Sequence, residues 1–200
     1  MMDDTTQSRA PWQLEPVSTT ARLWLLALAV LLPMGIVLGT LVYTANDPGS
    51  KRLIGDSEPL TMLVVVGGTL LLCLAIHWVI SRAMRRHQVT LDGDGLEVKT
   101  TFYGRKLGWG ELQLQQARVV DLDEHTELKP MLKTNGTSLP GLHSGWFRLR
   151  NRRKALVAMV GGPRVLHLPT TQGYELLLQP RQPQALLERL RELAPPATHR

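Results

Sequence analysis

A run of basic side chains is the strongest chemical feature of this 200-residue sequence. Positions 148–154 carry five positive charges and no negative one: Arg148, Arg150, Arg152, Arg153 and Lys154. Near an anionic membrane leaflet each basic side chain is worth about 1 kcal/mol, so the run predicts contact with anionic lipid headgroups. The alternative is a solvated hairpin tip, whose charges keep a sheet edge from aggregating.

Residues that could perform catalysis or bind a metal do not fall into productive patterns. The pentapeptide GLHSG at 141–145 places its serine one position too late for a nucleophile elbow. Asp121, Asp123 and His125 alternate and could share one strand face, but no second ligand cluster accompanies them. No phosphate-binding or dinucleotide-binding glycine pattern is present. We therefore predict a protein that is not an enzyme and that has no cofactor and no metal site.

Two uncharged stretches of 21 residues, 23–43 and 60–80, stand out from a chain that is 20% charged with a net charge of +6. At about 1.5 Å per residue each would extend roughly 31 Å, which matches the hydrocarbon core of a bilayer. We predict a two-helix transmembrane hairpin over residues 22–82 and a polar N-terminal tail over residues 1–21. The single cysteine, Cys73, excludes an intramolecular disulfide framework.

Basic residues that flank the two spans predict the orientation of the hairpin. Five lie at the outer ends of the spans: Arg9, Arg22, Arg82, Arg85 and Arg86. Two lie in the connecting loop: Lys51 and Arg52. Because positive residues accumulate on the cytoplasmic side, both termini are predicted to lie in the cytoplasm.

Small residues in the spans are candidates for helix packing. Gly35 and Gly39 form a G-x-x-x-G pattern, and Gly67 and Gly68 lie in the second span. Small residues allow helix backbones to approach closely. Two interpretations stay open: packing of the hairpin's own two helices, or a face that forms a homo-oligomer.

The region from residue 88 to 194 has the pattern of a separate, mainly β domain. Short strand-like runs, separated by turn residues, occur at roughly 105–109, 116–122, 146–150, 155–160, 164–168 and 174–178. A C-terminal amphipathic helix is predicted over 184–193, where it would cover one end of a barrel. The segment from 122 to 145 shows little strand or helix pattern, so we predict a long loop that contacts a partner or packs over the barrel wall.

The order of elements, with seven or eight strands before one helix, is that of a pleckstrin-homology barrel. More specifically, the stretch KTNGTSLPGLHSGWFRLRNRRKALV at 133–157, followed by the run 165–178, resembles the bacterial PH-domain family. The resemblance covers about residues 88–193. It implies a PH-like barrel capped by a C-terminal helix, and a setting in the bacterial cytoplasmic (inner) membrane. It implies no established activity and supplies no catalytic residues.

Three functions follow from these predictions. The first is a non-catalytic, membrane-anchored interaction module that docks a protein partner at the cytoplasmic membrane surface. Its candidate contacts are Lys133, Asn135, Leu139, Leu142 and Trp146. The second is a sensor of anionic lipid headgroups that uses the basic run, and the third is a structural subunit of a membrane complex. Nucleic acid is not expected as a partner, because the spans hold the protein at the bilayer and few aromatic residues flank the basic run.

Overall fold

The computed structural model describes residues 12–45, 57–84, 88–100 and 103–195. The chain divides into two compact units: Arg22–Arg82, and a second unit in which residues 12–21 join those from Ala83 onward. Of the flanking charges that predict the orientation, five lie outside the described residues: Arg9, Lys51, Arg52, Arg85 and Arg86.

The first unit consists of two long apolar helices. The first contains α1 (Thr19–Leu26), a π-helical turn (Ala27–Leu31) and α2 (Leu32–Ala45), and the second contains α3 (Glu58–Met62), a π-helical turn (Leu63–Gly67) and α4 (Gly68–Met84). Both are long and apolar enough to span a membrane, over Thr19–Thr44 and Pro59–Met84. Only 11% and 6% of the residues in their most apolar windows are buried, whereas the core helix of a soluble protein is mostly buried.

Pro33 accounts for the π-helical turn in the first helix. Proline has no N–H to donate to the carbonyl of the residue four positions earlier, and its ring crowds that carbonyl. The preceding turn widens, and the N–H of Leu32 bonds to the carbonyl of Ala27, five residues back.

The second unit contains two open sheets and one helix. The smaller sheet has the order β1-β2-β3 and is antiparallel, and the larger has the order β4-β8-β9-β7-β6-β5, in which only the β7–β9 pair is parallel. The strands are β1 (Gln88–Asp92), β2 (Gly95–Lys99), β3 (Gly104–Gly108), β4 (Arg118–Asp121), β5 (Pro130–Leu139), β6 (Leu142–Leu149), β7 (Lys154–Met159), β8 (Arg164–Pro169) and β9 (Glu175–Leu178). The helix is α5 (Pro183–Leu193).

The inner strands of the larger sheet are buried on both faces. On one face Leu156, Leu166 and Leu176 share a core with the smaller sheet and with Leu186 and Leu190 of α5. The opposite face forms a second core, to which the connector between β4 and β5 contributes two leucines: Val157, Val165 and Leu177 pack with Leu122 and Leu128. This double burial explains the nearly continuous apolar runs of β7, β8 and β9.

The structure corrects the prediction of a long loop over residues 122–145. A short 3₁₀ turn (Thr126–Leu128) is followed by β5, and β5 and β6 form a long antiparallel hairpin. Residues 131–135 are exposed on both faces of β5, so they show no alternation between apolar and polar positions. Register shifts at Met131 and Thr134 interrupt the remaining pattern.

Residues 12–18, which the sequence assigns to a polar tail, are attached to the sheet domain. Leu14 forms a β-bridge with Pro180, and the N–H of Glu15 bonds to the carbonyl of Gln179 at 3.0 Å. The side chain of Gln13 bonds to both backbone groups of Val89: its Nε2 donates to the carbonyl at 2.7 Å, and its Oε1 accepts from the N–H at 3.3 Å. We call residues 12–18 the N-terminal strap.

Ser18 links the end of the strap to the β5–β6 turn. Its hydroxyl donates to the carbonyl of Gly141 at 3.0 Å and also accepts from the N–H of Ala21, at 3.1 Å, which caps α1.

We expect Gln13→Ala to lower the stability of the protein by about 1–3 kcal/mol, because Val89 is buried and both of its backbone groups would lose their partner. This corresponds to a decrease in Tm of roughly 5 °C, measured in detergent by thermal unfolding. Gln184→Ala is the matched control, because Gln184 is exposed and bonds only to Glu188 on α5. Equal Tm values for the two variants would contradict a stabilising role of the strap.

Candidate functional site

The basic run forms the turn between β6 and β7. The N–H of Leu149 bonds to the carbonyl of Arg153, and the N–H of Arg152 bonds to the carbonyl of Leu149, both at 2.9 Å. The turn is also anchored to the β4–β5 connector, where the N–H of Asn151 bonds to the carbonyl of Glu127 at 2.9 Å. A surface turn in this position holds its charged side chains in solvent.

All five basic residues of this turn are exposed, but they divide into two groups. Arg148, Arg150 and Arg152 have no ion-pair partner among the residues that the structure describes. Arg153 donates to Glu175 Oε1 at 2.6 Å, and the Nζ of Lys154 lies 4.4 Å from the ring centroid of Trp146. Only the first three side chains are therefore free to bind an external anion.

Trp146 is the centre of an aromatic and cationic cluster at the edge of the main core. Tyr174 meets its ring edge-on with centroids 5.0 Å apart, and the guanidinium of Arg105 lies 5.6 Å from it. Burial raises the pKa of Tyr174, Arg105 opposes that rise, and Glu111 adds to it. The cation–π contacts occupy the face of the ring, so Trp146 stabilises the fold and is not free for a partner.

A buried ionic network lies behind the basic turn. Glu175 Oε2 is 2.9 Å from His167 Nε2, while its other carboxylate oxygen binds Arg153. The side chains of Glu175 and His167 are only 4% and 8% exposed. Burial raises the pKa of Glu175, but the hydrogen bonds and charges of His167 and Arg153 outweigh burial and lower it below its ordinary value.

The predicted partner contacts separate into exposed and buried residues. Lys133 and Asn135 are exposed on β5, and Leu139 is half-buried at the end of that strand. Leu142 is completely buried and Trp146 is 8% exposed, so neither is available as a contact residue. Asn135 accepts a hydrogen bond from the hydroxyl of Tyr103.

Two exposed apolar residues on β5 were missed by the sequence analysis. Met131 is 61% exposed and Leu132 is 56% exposed. Apart from residues of the two long helices, Leu193 is the only other large apolar side chain in the described part of the chain that is exposed. A signal was present in the sequence, where this apolar pair stands between Pro130 and Lys133 in a polar segment.

The outer edge of β5 is more accessible than the edges of β1 and β4. The Gln13 side chain covers the edge of β1 at Val89, and Arg191 of α5 bonds at 3.3 Å to the carbonyl of Ala117, just before β4. Within the described ranges, β5 pairs with β6 alone. An unpaired edge offers backbone N–H and C=O groups to an added strand.

A serine and a histidine meet across the β5–β6 hairpin. Ser138 and His143 are directly opposite in the register, with Ser138 Oγ 3.0 Å from His143 Nδ1. Burial lowers the pKa of His143, and its ring meets Phe147 edge-on. A nucleophilic serine needs a histidine that is oriented by a third group, commonly a carboxylate. In this hairpin the pair serves as a cross-strand hydrogen bond.

The glycines predicted for helix packing lie in open positions. A Cβ atom added at Gly35, Gly39 or Gly68 would meet nothing within 4 Å, and at Gly67 it would meet only Leu63, one turn earlier, at 4.0 Å. Each of these positions therefore has room for a side chain.

No protein-family model, no curated protein and no solved structure matches this chain. The resemblance to the bacterial PH-domain family therefore stays a prediction.

The buried network predicts a pH dependence of stability. Because the pKa of Glu175 is lowered on folding, its stabilisation is present above the ordinary value of 4.5 and is lost as the pH falls through the lower, folded value. We expect Glu175→Gln to have a lower Tm than the wild type at neutral pH, with a difference that shrinks between about pH 5 and about pH 3. Glu124→Gln, at an exposed position, should follow the wild type. A constant Tm difference across this range would contradict the assignment.

The backbone conformation of Arg152 predicts a second effect on stability. Its φ of 66° lies in the left-handed region, which β-branched residues adopt at a cost. We expect Arg152→Val to lower stability by about 1–2 kcal/mol, whereas Arg152→Gly relieves the strain. Thermal unfolding of both variants measures the difference, and equal Tm values would contradict strain at this turn.

Proposed function

We propose that this chain is a non-catalytic, membrane-anchored interaction module that docks a protein partner along the outer edge of β5. The observation that carries the proposal is the exposure of this edge together with the apolar pair Met131 and Leu132. In β-augmentation, backbone hydrogen bonds supply affinity while side-chain contacts supply specificity. The edge of β5 offers the backbone hydrogen bonds, and the apolar pair offers the side-chain contacts.

The two long helices would anchor the module in a bacterial cytoplasmic membrane, with the mainly β unit as a PH-like domain. The strap supports the prediction that both ends of the two-helix hairpin lie on the same side of the membrane. Gln13 precedes the first helix and bonds directly to Val89, which follows the second. A bilayer does not fit between two residues that share hydrogen bonds, which supports the same side of the membrane for both. The excess of flanking Lys and Arg favours the cytoplasm.

The test is site-specific photocrosslinking of the full-length protein in the membranes of its native host. A photoreactive phenylalanine derivative at Met131 is expected to give a discrete adduct, because a docked strand would lie about 4.8 Å from β5. The same residue at Lys106, which is exposed on β3, is the matched control and should not give that adduct. Leu132→Ser should reduce the Met131 adduct.

Two results would contradict the proposal. The first is an identical adduct from positions 131 and 106, which would indicate nonspecific proximity in the membrane. The second is an adduct at position 131 that persists undiminished in Leu132→Ser.

A further inference from the structure

We propose that the β5 edge recognises an acidic, extended protein segment that carries both apolar and carboxylate side chains. This inference rests on the proposed docking function and names the chemistry of the partner. It follows from charges and apolar residues that the fold brings to one end of β5, although they are separated in the sequence.

The register of the β5–β6 hairpin brings these residues together. Pro130 is opposite Leu149, and Leu132 is opposite Arg148. Directly opposite residues of an antiparallel pair point to the same face, so the exposed Leu132 and the exposed Arg148 share one face. The basic turn that follows Leu149 therefore lies beside the start of β5, next to Met131.

The charges at this end of β5 are not balanced internally. Lys133, Arg148, Arg150 and Arg152 are exposed and have no ion-pair partner among the described residues. Two nearby acids are already engaged. The carbonyl of Glu127 accepts a hydrogen bond from the basic turn, and its carboxylate lies 3.3 Å from His125 Nδ1. Glu175 is buried against His167 and Arg153.

An acidic strand satisfies three features of this surface at once. Its backbone pairs with the free edge of β5, and its apolar side chains cover Met131 and Leu132. Its carboxylates meet the guanidinium groups of the basic turn, which lies beside the start of β5. A basic strand would meet like charge, and a helix would leave the backbone groups of the edge unpaired.

The experiment measures peptide binding to the full-length protein in nanodiscs of phosphatidylcholine. The probes are peptides of about eight residues that alternate valine with glutamate, glutamine or lysine. We expect the glutamate peptide to bind at least tenfold more tightly than the glutamine peptide, with an advantage that decreases as salt increases, and the lysine peptide not to bind.

Two sets of variants separate the inference from the function on which it rests. The charge variant, Arg148→Gln/Arg150→Gln/Arg152→Gly, should reduce the affinity for the glutamate peptide to that for the glutamine peptide; glycine is chosen at 152 because of the positive φ. The edge variant, Met131→Ser/Leu132→Ser, should weaken both peptides. Arg118→Gln/Arg164→Gln/Arg181→Gln removes three exposed charges elsewhere and should change neither affinity. If the charge variant unfolds at a lower Tm, Arg148→Gln/Arg150→Gln replaces it.

Each remaining outcome overturns a defined claim. Equal binding of the glutamate and glutamine peptides, both weakened by the edge variant, would overturn the acidic partner and leave edge docking intact. Binding that the edge variant does not weaken, or an absence of binding by either peptide, would overturn both claims. A third outcome is that neither peptide binds, while the wild type in nanodiscs cosediments with phosphatidylglycerol vesicles and the charge variant does not. This outcome would assign the arginines to lipid binding instead.

Discussion

Burial of the larger sheet on both faces is the constraint on which the rest of the sheet domain depends. The smaller sheet and α5 cover one face, while the connector between β4 and β5 contributes to the core on the other. A sheet that is covered in this way has only its outer edges left for contact with other molecules. Its inner strands need apolar residues at nearly every position, and its outermost strand does not. The accessibility of β5 is thus a consequence of how the core is built.

Attachment of the N-terminal strap imposes a second constraint, which acts through chain connectivity. The strap precedes the first long helix, whereas β1 follows the second, and Gln13 joins the strap to Val89 of β1. Ser18 adds a link to the β5–β6 turn. Chain segments that precede and follow the two helices in the sequence are therefore held together within the sheet domain.

The parts of the structure with a clear local sequence pattern were predicted from the sequence. Two long apolar helices are confirmed, because an uncharged stretch of more than 20 residues has few other solutions. The mainly β region and α5 are confirmed as well, since turn residues separate the strands and four leucines mark one helix face. Closure of the two sheets into a PH-like barrel stays a prediction.

Features that depend on long-range pairing could not be predicted in this way. The strap has no apolar periodicity, because a glutamine amide and backbone groups make its main contacts. The β5 strand was interpreted as a loop, because both of its faces are exposed. Leu142 and Trp146 were assigned to a partner surface, although the hairpin directs them into the core. The association of Leu132 with Arg148 required the register of β5 on β6, which no local pattern encodes.

The composition of β5 fits the proposed docking edge better than an edge that is merely protected. Proline, lysine and bulges are the usual means by which a free edge resists aggregation, and β5 has all three, at Pro130, at Lys133 and at the two register shifts. Protection alone would also favour polar residues at every exposed position. Met131 and Leu132 are exposed instead, and Leu132 lies directly opposite the unpaired Arg148. On the proposed function, an edge that repels its own copies through positive charge but retains an apolar pair would select a strand of opposite charge.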